Sequence, residues 1–256
     1  MQLPELKLIC IAATGVNNVD LDAAARLGIS VCNVRGYANT AVPQHVIALL
    51  LQLTNKISQY HQAVANGLWS QSKHFCLLDY PVTELAGKNF VVIGYGALGQ
   101  ASAQLAKAFG MQIIVAEQPD ATSCRSGRVP FLTALAQADV ISLHCPLNAQ
   151  TEKLFNQQVF AAIKPGALLI NTARGGLIDE AALLQALRLG QLGGAALDVL
   201  SQEPPPADHL LLRSDLPNLI VTPHMAWASA EARQRMVVQL KQNIEAFISG
   251  KELNRV

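Results

Sequence analysis

Eight short apolar runs rich in Val and Ile, "LKLICIAA", "ISVCNV", "NFVVIG", "QIIVAE", "DVISLH", "ALLINT", "GGAALDV" and "LIVTPH", alternate along the chain with longer segments of helical period. This rhythm restricts the fold more than any other feature. Runs this short and this continuously apolar suit strands buried on both faces, and strands separated by helices pair in parallel. A hydrophobic content of 51% with only 14% charged residues fits a sheet covered on both sides. Between the runs, "DLDAAARLG", "GQASAQLAKAFG" and "DEAALLQALRLG" have polar or acidic starts, apolar faces and a glycine just past the end, as helices do. The pattern predicts an α/β protein built on a doubly wound parallel sheet.

Two stretches interrupt the rhythm. Residues 66–89 have no clean period and follow a long helical segment from about Thr40 to Ala65, which predicts an extended loop between two regions. Residues 201–218 hold four prolines and exclude regular helix or central strand. Only two strand-like runs precede the long helix, and two parallel strands do not make an independent sheet. Either another subunit covers them or the sequence lacks an N-terminal portion.

Composition removes several function classes. Lys+Arg 19 against Asp+Glu 18, without a basic stripe, argues against a nucleic-acid partner. The five cysteines are scattered and never spaced as C-x-x-C, so neither a disulfide framework nor a metal site is expected. No apolar run is long enough to span a membrane, and the N-terminus lacks the layout of a secretion signal. A cytoplasmic protein is the expectation.

"VVIGYGALGQ" places Gly94, Gly96 and Gly99 as G-x-G-x-x-G directly after an apolar strand and at the opening of a helix. Gly94 would make the tight turn, Gly96 would let backbone approach a pyrophosphate, and Gly99 would let helix lie close on strand. The next strand ends on Glu117, where a carboxylate can accept hydrogen bonds from the adenosine ribose. This is the Rossmann-type fingerprint for NAD. Arg125 and Arg128 in the following loop could bend back to meet a 2′-phosphate, so NADP remains open as the alternative.

Three residues carry candidate chemistry. Arg174 ends the strand in "LLINTARGGLID", where a guanidinium can grip a substrate carboxylate and polarise a carbonyl; its plain alternative is an ion pair to Asp179 or Glu180. Glu203 opens the proline-rich loop, and His224 closes the last strand in "VTPHMAWAS". A carboxylate beside an imidazole favours its protonated form, which can donate a proton to a carbonyl oxygen. Trp227, three residues on, would wall the substrate or simply pack.

Taken together, "ATGVNNVDLDAAARLGISVCNV", "TELAGKNFVVIGYGALG", "LHCPL", "LLINTARGGLIDE", "ALDVLSQEPP" and "TPHMAWAS" resemble the D-isomer-specific 2-hydroxyacid dehydrogenase family over nearly the whole chain. The "HMAW" and "GLWSQS" segments look most like its glycerate dehydrogenase, or hydroxypyruvate reductase, branch. The resemblance assigns catalytic roles to Arg174, Glu203 and His224. It places Leu98, Cys145, Pro146, Thr151, Thr172, Ala173 and Asp198 with the three glycines and Glu117 on the cofactor, and backbone amides near Gly15 and Val16 on the substrate carboxylate. It implies a homodimer in which Trp69 reaches a partner's cleft, with a plain anchoring role as the alternative.

The implied domains are a partial flavodoxin-like substrate domain with linking helix and loop over 1–85, a dinucleotide-binding domain over 86–227, and a C-terminal helix over 228–256 that returns toward the substrate domain. Family members ordinarily begin with further βα units before the point matched by "LPELKLIC", so Met1 is read as an internal methionine or the chain as a natural truncation. The expected activity is NAD-dependent reduction of a small 2-oxo acid, hydroxypyruvate or glyoxylate first. The rival from another class is a non-catalytic NAD(H) sensor or corepressor; within enzymes, phosphite, formate and phosphoglycerate dehydrogenases are the runners-up.

Overall fold

The computed structural model describes residues 3, 5–16 and 18–256. All eight apolar runs are strands: β1 (Leu8–Cys10), β2 (Ser30–Cys32), β3 (Asn89–Ile93), β4 (Gln112–Val115), β5 (Val140–Leu143), β6 (Ala167–Asn171), β7 (Leu192–Leu197) and β8 (Leu219–Val221). The helices are α1 (Leu21–Arg26), α2 (Ala41–Asn55), α3 (Ile57–Ala65), α4 (Ala97–Ala108), α5 (Phe131–Ala136), α6 (Gln157–Ala162), α7 (Glu180–Arg188) and α8 (Ala230–Ile248). Two compact units result, one of residues 1–41 with 227–256, the other of residues 42–226.

In the larger unit six parallel strands run in the order β4-β3-β5-β6-β7-β8. The chain moves outward from β3 to β4 on one side and returns to β5 on the other, so β3 and β5 flank the point where strand order reverses. In such sheets the crevice for a ligand opens there, beyond the carboxyl ends of the strands. The centre of the sheet is dry: Phe90, Ile141 and Leu169 have no exposed surface. Helix ends follow the residues that mark them. Asp179 accepts the Ala181 and Ala182 amides at the start of α7, and Gly110 and Gly190 close α4 and α7 at φ 78° and 71°, a left-handed conformation that glycine adopts without penalty.

The smaller unit pairs β1 with β2 in parallel, with Ile11, Ala24 and Val31 at the centre of its core. Asn243 on α8 donates to Asn33 O at 2.8 Å, and Arg235 Nε to Tyr37 O at 2.9 Å, tying the C-terminal helix to the segment after β2.

Two expectations change. The helical segment from Thr40 to Ala65 is two helices, because Lys56 takes a left-handed backbone (φ 56°) and breaks the hydrogen-bond ladder between α2 and α3. The expected boundary at residue 85 falls inside the larger unit. There His45 on α2 bonds Thr222, Leu53 packs over Gly194 of β7, and Thr83 donates to Thr54 O, so α2 and the loop after α3 belong with the sheet.

Candidate active site

At the reversal of strand order a cleft of about 520 Å³ opens over the carboxyl ends of β3, β4 and β5. Gly94, Gly96, Glu117, Cys145, Pro146 and Thr151 line it. Gly94 has φ 94°, and a Cβ there would lie 2.5 Å from Cys145 N, so the two strand ends come together only at a glycine. A Cβ on Gly99 would meet Gly94 O at 2.1 Å, which is why α4 can lie against the turn. Gly96 faces open space and caps α4 without a side chain, leaving first-turn amides for an anion. Leu98 sits part-buried in the first turn of α4.

Burial sets the titration of two groups in this cleft. It pushes His144 down to about 4, with Ser142 Oγ 2.8 Å from its Nε2, and Cys145 up to about 11. Neither supplies an acid or a thiolate near neutral pH. Glu117 stands at the end of β4 with Arg125 folded onto its carboxylate, while Gln118 N and Arg125 N also donate to it.

A second cleft, of about 540 Å³, opens beside β7 and β8 between Leu200, Leu212 and Val221. His224 and Glu203 lie on it, with His224 Nδ1 2.7 Å from Glu203 Oε2. Glu203 Oε1 also accepts Leu200 N at 2.9 Å, so the carboxylate is held by its own loop. Since a carboxylate only accepts, the contact places a proton on Nδ1 and leaves Nε2 free for a ligand.

Asp198 lies behind this pair. Its carboxylate accepts from Thr222 Oγ1 at 2.5 Å, Met225 N at 2.9 Å and Ala226 N at 2.8 Å. The resemblance put Asp198 on the cofactor; the structure puts its oxygens on the turn that carries His224. Burial alone would raise its pKa, but His45, Thr222 and the Ala226 and Met225 amides outweigh that and lower it.

At the end of β6, Arg174 Nη1 donates to Ala173 O at 2.7 Å, and among the described residues it makes no ion pair. The carboxylates suggested as its partners are engaged elsewhere: Asp179 caps α7, and Glu180 holds Ser201 and His209. A Cβ on Gly175 would lie 1.9 Å from the Leu200 carbonyl carbon, so a glycine lets the arginine turn cross against the segment leading to Glu203. Beside Ala173, Thr172 Oγ1 is buried with no hydrogen-bond partner among the described residues, an orphan donor that a bound polar group would satisfy.

Gly15 and Val16 belong to the smaller unit, on the loop after β1, where Val16 packs against that unit's core. Trp227, also in that unit, meets Tyr37 edge-on with ring centroids 6.4 Å apart. Trp69, half exposed in the larger unit, donates Nε1 to Phe75 O at 2.9 Å. Sequence reasoning set His45 and His209 aside as core, surface or supporting residues but named no partners for them, because Asp198, Thr222 and Glu180 are distant in the chain. No cluster of three or more His, Cys, Asp or Glu suited to a metal occurs among the described residues, and none of their helices is long and apolar enough to cross a membrane.

The open glycine turn, the uncapped helix start and the orphan Thr172 hydroxyl fit a dinucleotide. Comparison with known proteins agrees. Residues 47–226 match the family described as D-isomer specific 2-hydroxyacid dehydrogenase, NAD binding domain. The chain is 49% identical over 255 residues to a glycerate dehydrogenase of Methylorubrum extorquens, covering 100% of this chain and 80% of that protein. It is 38% identical over 256 residues to a hydroxypyruvate reductase of Blautia hydrogenotrophica, covering 99% and 79%. The crystal structure of TT0316 protein from Thermus thermophilus superposes with a TM-score of 0.87 at 38% identity, over 98% of this chain and 79% of that one. With a parallel sheet, a glycine turn and a match that spans the larger unit, the chain belongs to the D-isomer specific 2-hydroxyacid dehydrogenases, NAD-linked oxidoreductases of 2-hydroxy acids.

Proposed function

We propose that the protein reduces a small 2-oxo acid, hydroxypyruvate first and glyoxylate second, with His224 as proton donor. The observation that carries the reading is the 2.7 Å contact between His224 Nδ1 and Glu203 Oε2 beside an apolar cleft at the strand ends. The substrate class follows the glycerate dehydrogenase and hydroxypyruvate reductase to which the chain is similar.

The glycine turn, the start of α4 and the β6 end at Thr172 and Ala173 would hold NADH, which would supply the hydride. Glu203 fixes the imidazole through Nδ1, so Nε2 presents the proton to the carbonyl oxygen. Arg174, most of whose five donors have no partner among the described residues, takes the negative charge of the substrate and polarises its carbonyl. Leu200, Leu212 and Val221 keep water from the proton path.

The reading extends to a cytoplasmic homodimer: the five cysteines are free thiols, and Phe75 and Leu78 in the loop after α3 are 91% and 84% exposed.

The test is NADH consumption by the purified protein on addition of hydroxypyruvate. His224→Gln should leave NADH affinity unchanged and lower kcat by about 10²–10⁴-fold, the usual contribution of a positioned acid. Unchanged turnover in that variant would remove His224 from the chemistry. NADH binding without turnover in the parent would favour a sensor.

A further inference from the structure

The contact between His224 and Glu203 lies at the surface, their side chains 41% and 35% exposed. An exposed pair of this kind has little hold of its own, because water screens the attraction and ordering two side chains costs entropy. Its geometry must come from the backbone that carries it. On the Glu203 side that backbone has few ties. Residues 201–204 and 206–208 are exposed, and apart from bonds within residues 200–213 the segment 201–209 hydrogen-bonds the described remainder of the chain only at Glu180 and at His224.

Glu180 is placed to close this loop. It is the first residue of α7, a helix capped by Asp179, so its backbone belongs to a rigid element. Its carboxylate accepts from Ser201 N at 2.8 Å and Ser201 Oγ at 2.7 Å, and lies 3.2 Å from His209 Nε2. His209 Nδ1 accepts Leu211 N at 3.3 Å, which leaves the Nε2 proton for Glu180. The Glu180 and His209 side chains are 9% and 7% exposed, so the anchor is far less open to water than the pair it supports. One carboxylate thus holds the loop two residues before Glu203 and six residues after it. Between those anchors Glu203 Oε1 takes Leu200 N, and its Oε2 faces His224.

We propose that Glu180 is a positioning residue for the proton-donor pair: by clasping Ser201 and His209 it holds Glu203 within reach of His224. This role rests on the reading of His224 as proton donor, although the loop anchor itself does not.

Amide hydrogen exchange followed by NMR reads the anchor without any turnover. In Glu180→Ala the Leu200 amide, which donates to Glu203, should exchange about tenfold faster or more than in the parent, while the amides of β6 keep their parent rates. Ser201→Ala, which removes one donor and leaves the carboxylate in place, should move Leu200 in the same direction by less. Kinetics read the consequence. Glu180→Ala should lower kcat for hydroxypyruvate reduction by about tenfold and leave KM and the NADH Kd within about twofold, since the acid is misplaced and the binding groups are not. Added to Glu203→Gln, the same substitution should lower kcat by less than about a further twofold, because the residue it positions is already disabled. Parent exchange rates at Leu200 in both variants, or a full tenfold loss of kcat on top of Glu203→Gln, overturns the proposal. Faster exchange at Leu200 combined with parent kcat in Glu203→Gln would instead overturn the reading of the pair as proton donor while the anchor stands.

Discussion

His224 holds a left-handed backbone, φ 51°, which costs a residue other than glycine about 1 kcal/mol or more. The turn tolerates it because the His224 amide donates to Asp198 O at 2.8 Å and the amides of Met225 and Ala226 donate to the Asp198 carboxylate. Asp198 is therefore a positioning residue for His224, the proposed proton donor, and is 1% exposed. Asp198→Asn replaces an acceptor by an amide donor against the two backbone N–H groups, leaving one unsatisfied, so at neutral pH stability should fall by about 1–3 kcal/mol. The pH dependence follows from the lowered folded-state pKa. The stabilisation from the carboxylate is fully present above its unfolded value, about 3.9, and is lost as pH falls through the lower folded value. Urea unfolding of parent and Asp198→Asn should thus give a gap that is widest at neutral pH and closes in acid; a constant gap would show that the charge of Asp198 is not what matters.

At the level of elements, the glycine turn is where sequence and geometry meet most tightly. A methyl group on Gly99 would occupy the position of Gly94 O, 2.1 Å away, with Val92 Cγ1 at 3.1 Å. The contact is with backbone, so α4 must move outward. Gly99→Ala should destabilise the larger unit by about 1–3 kcal/mol, the usual cost of overpacking, and weaken NADH binding because the first-turn amides of α4 move with the helix. Thermal unfolding and NADH titration measure the two effects, and a variant with parent values in both would show that the turn yields without consequence. Other elements were less legible. The six-residue helices α5 and α6 are too short to show a period, and the break at Lys56 carries no glycine or proline to announce it. The strands were legible because each is a run of apolar residues flanked by polar ones, buried whichever neighbour it takes.

For the whole molecule, the exposed apolar side chains of residues 66–82 make an association surface the natural expectation. Phe75 and Leu78 are among the most exposed hydrophobic residues of the chain. Sedimentation equilibrium should give twice the 27.4 kDa of one chain, and Phe75→Asp with Leu78→Asp should return it to the single-chain mass without loss of thermal stability. A parent that sediments as a single chain would end this reading. The strand rhythm, the glycine turn, the Glu117 strand end and the strand-end positions of Arg174 and His224 are properties of local spacing, so the sequence alone determined them. Which strand lies beside which, and hence that Gly94 meets Cys145 and that Gly175 lets the arginine turn cross Leu200, only the tertiary structure decided. The same holds for Arg125 closing over Glu117 and for Asp198 serving the His224 turn rather than standing open. Side-chain hydrogen bonds form between groups brought together by packing, and their partners, eight residues apart in one case and more than twenty in the other, are not encoded by any period along the chain.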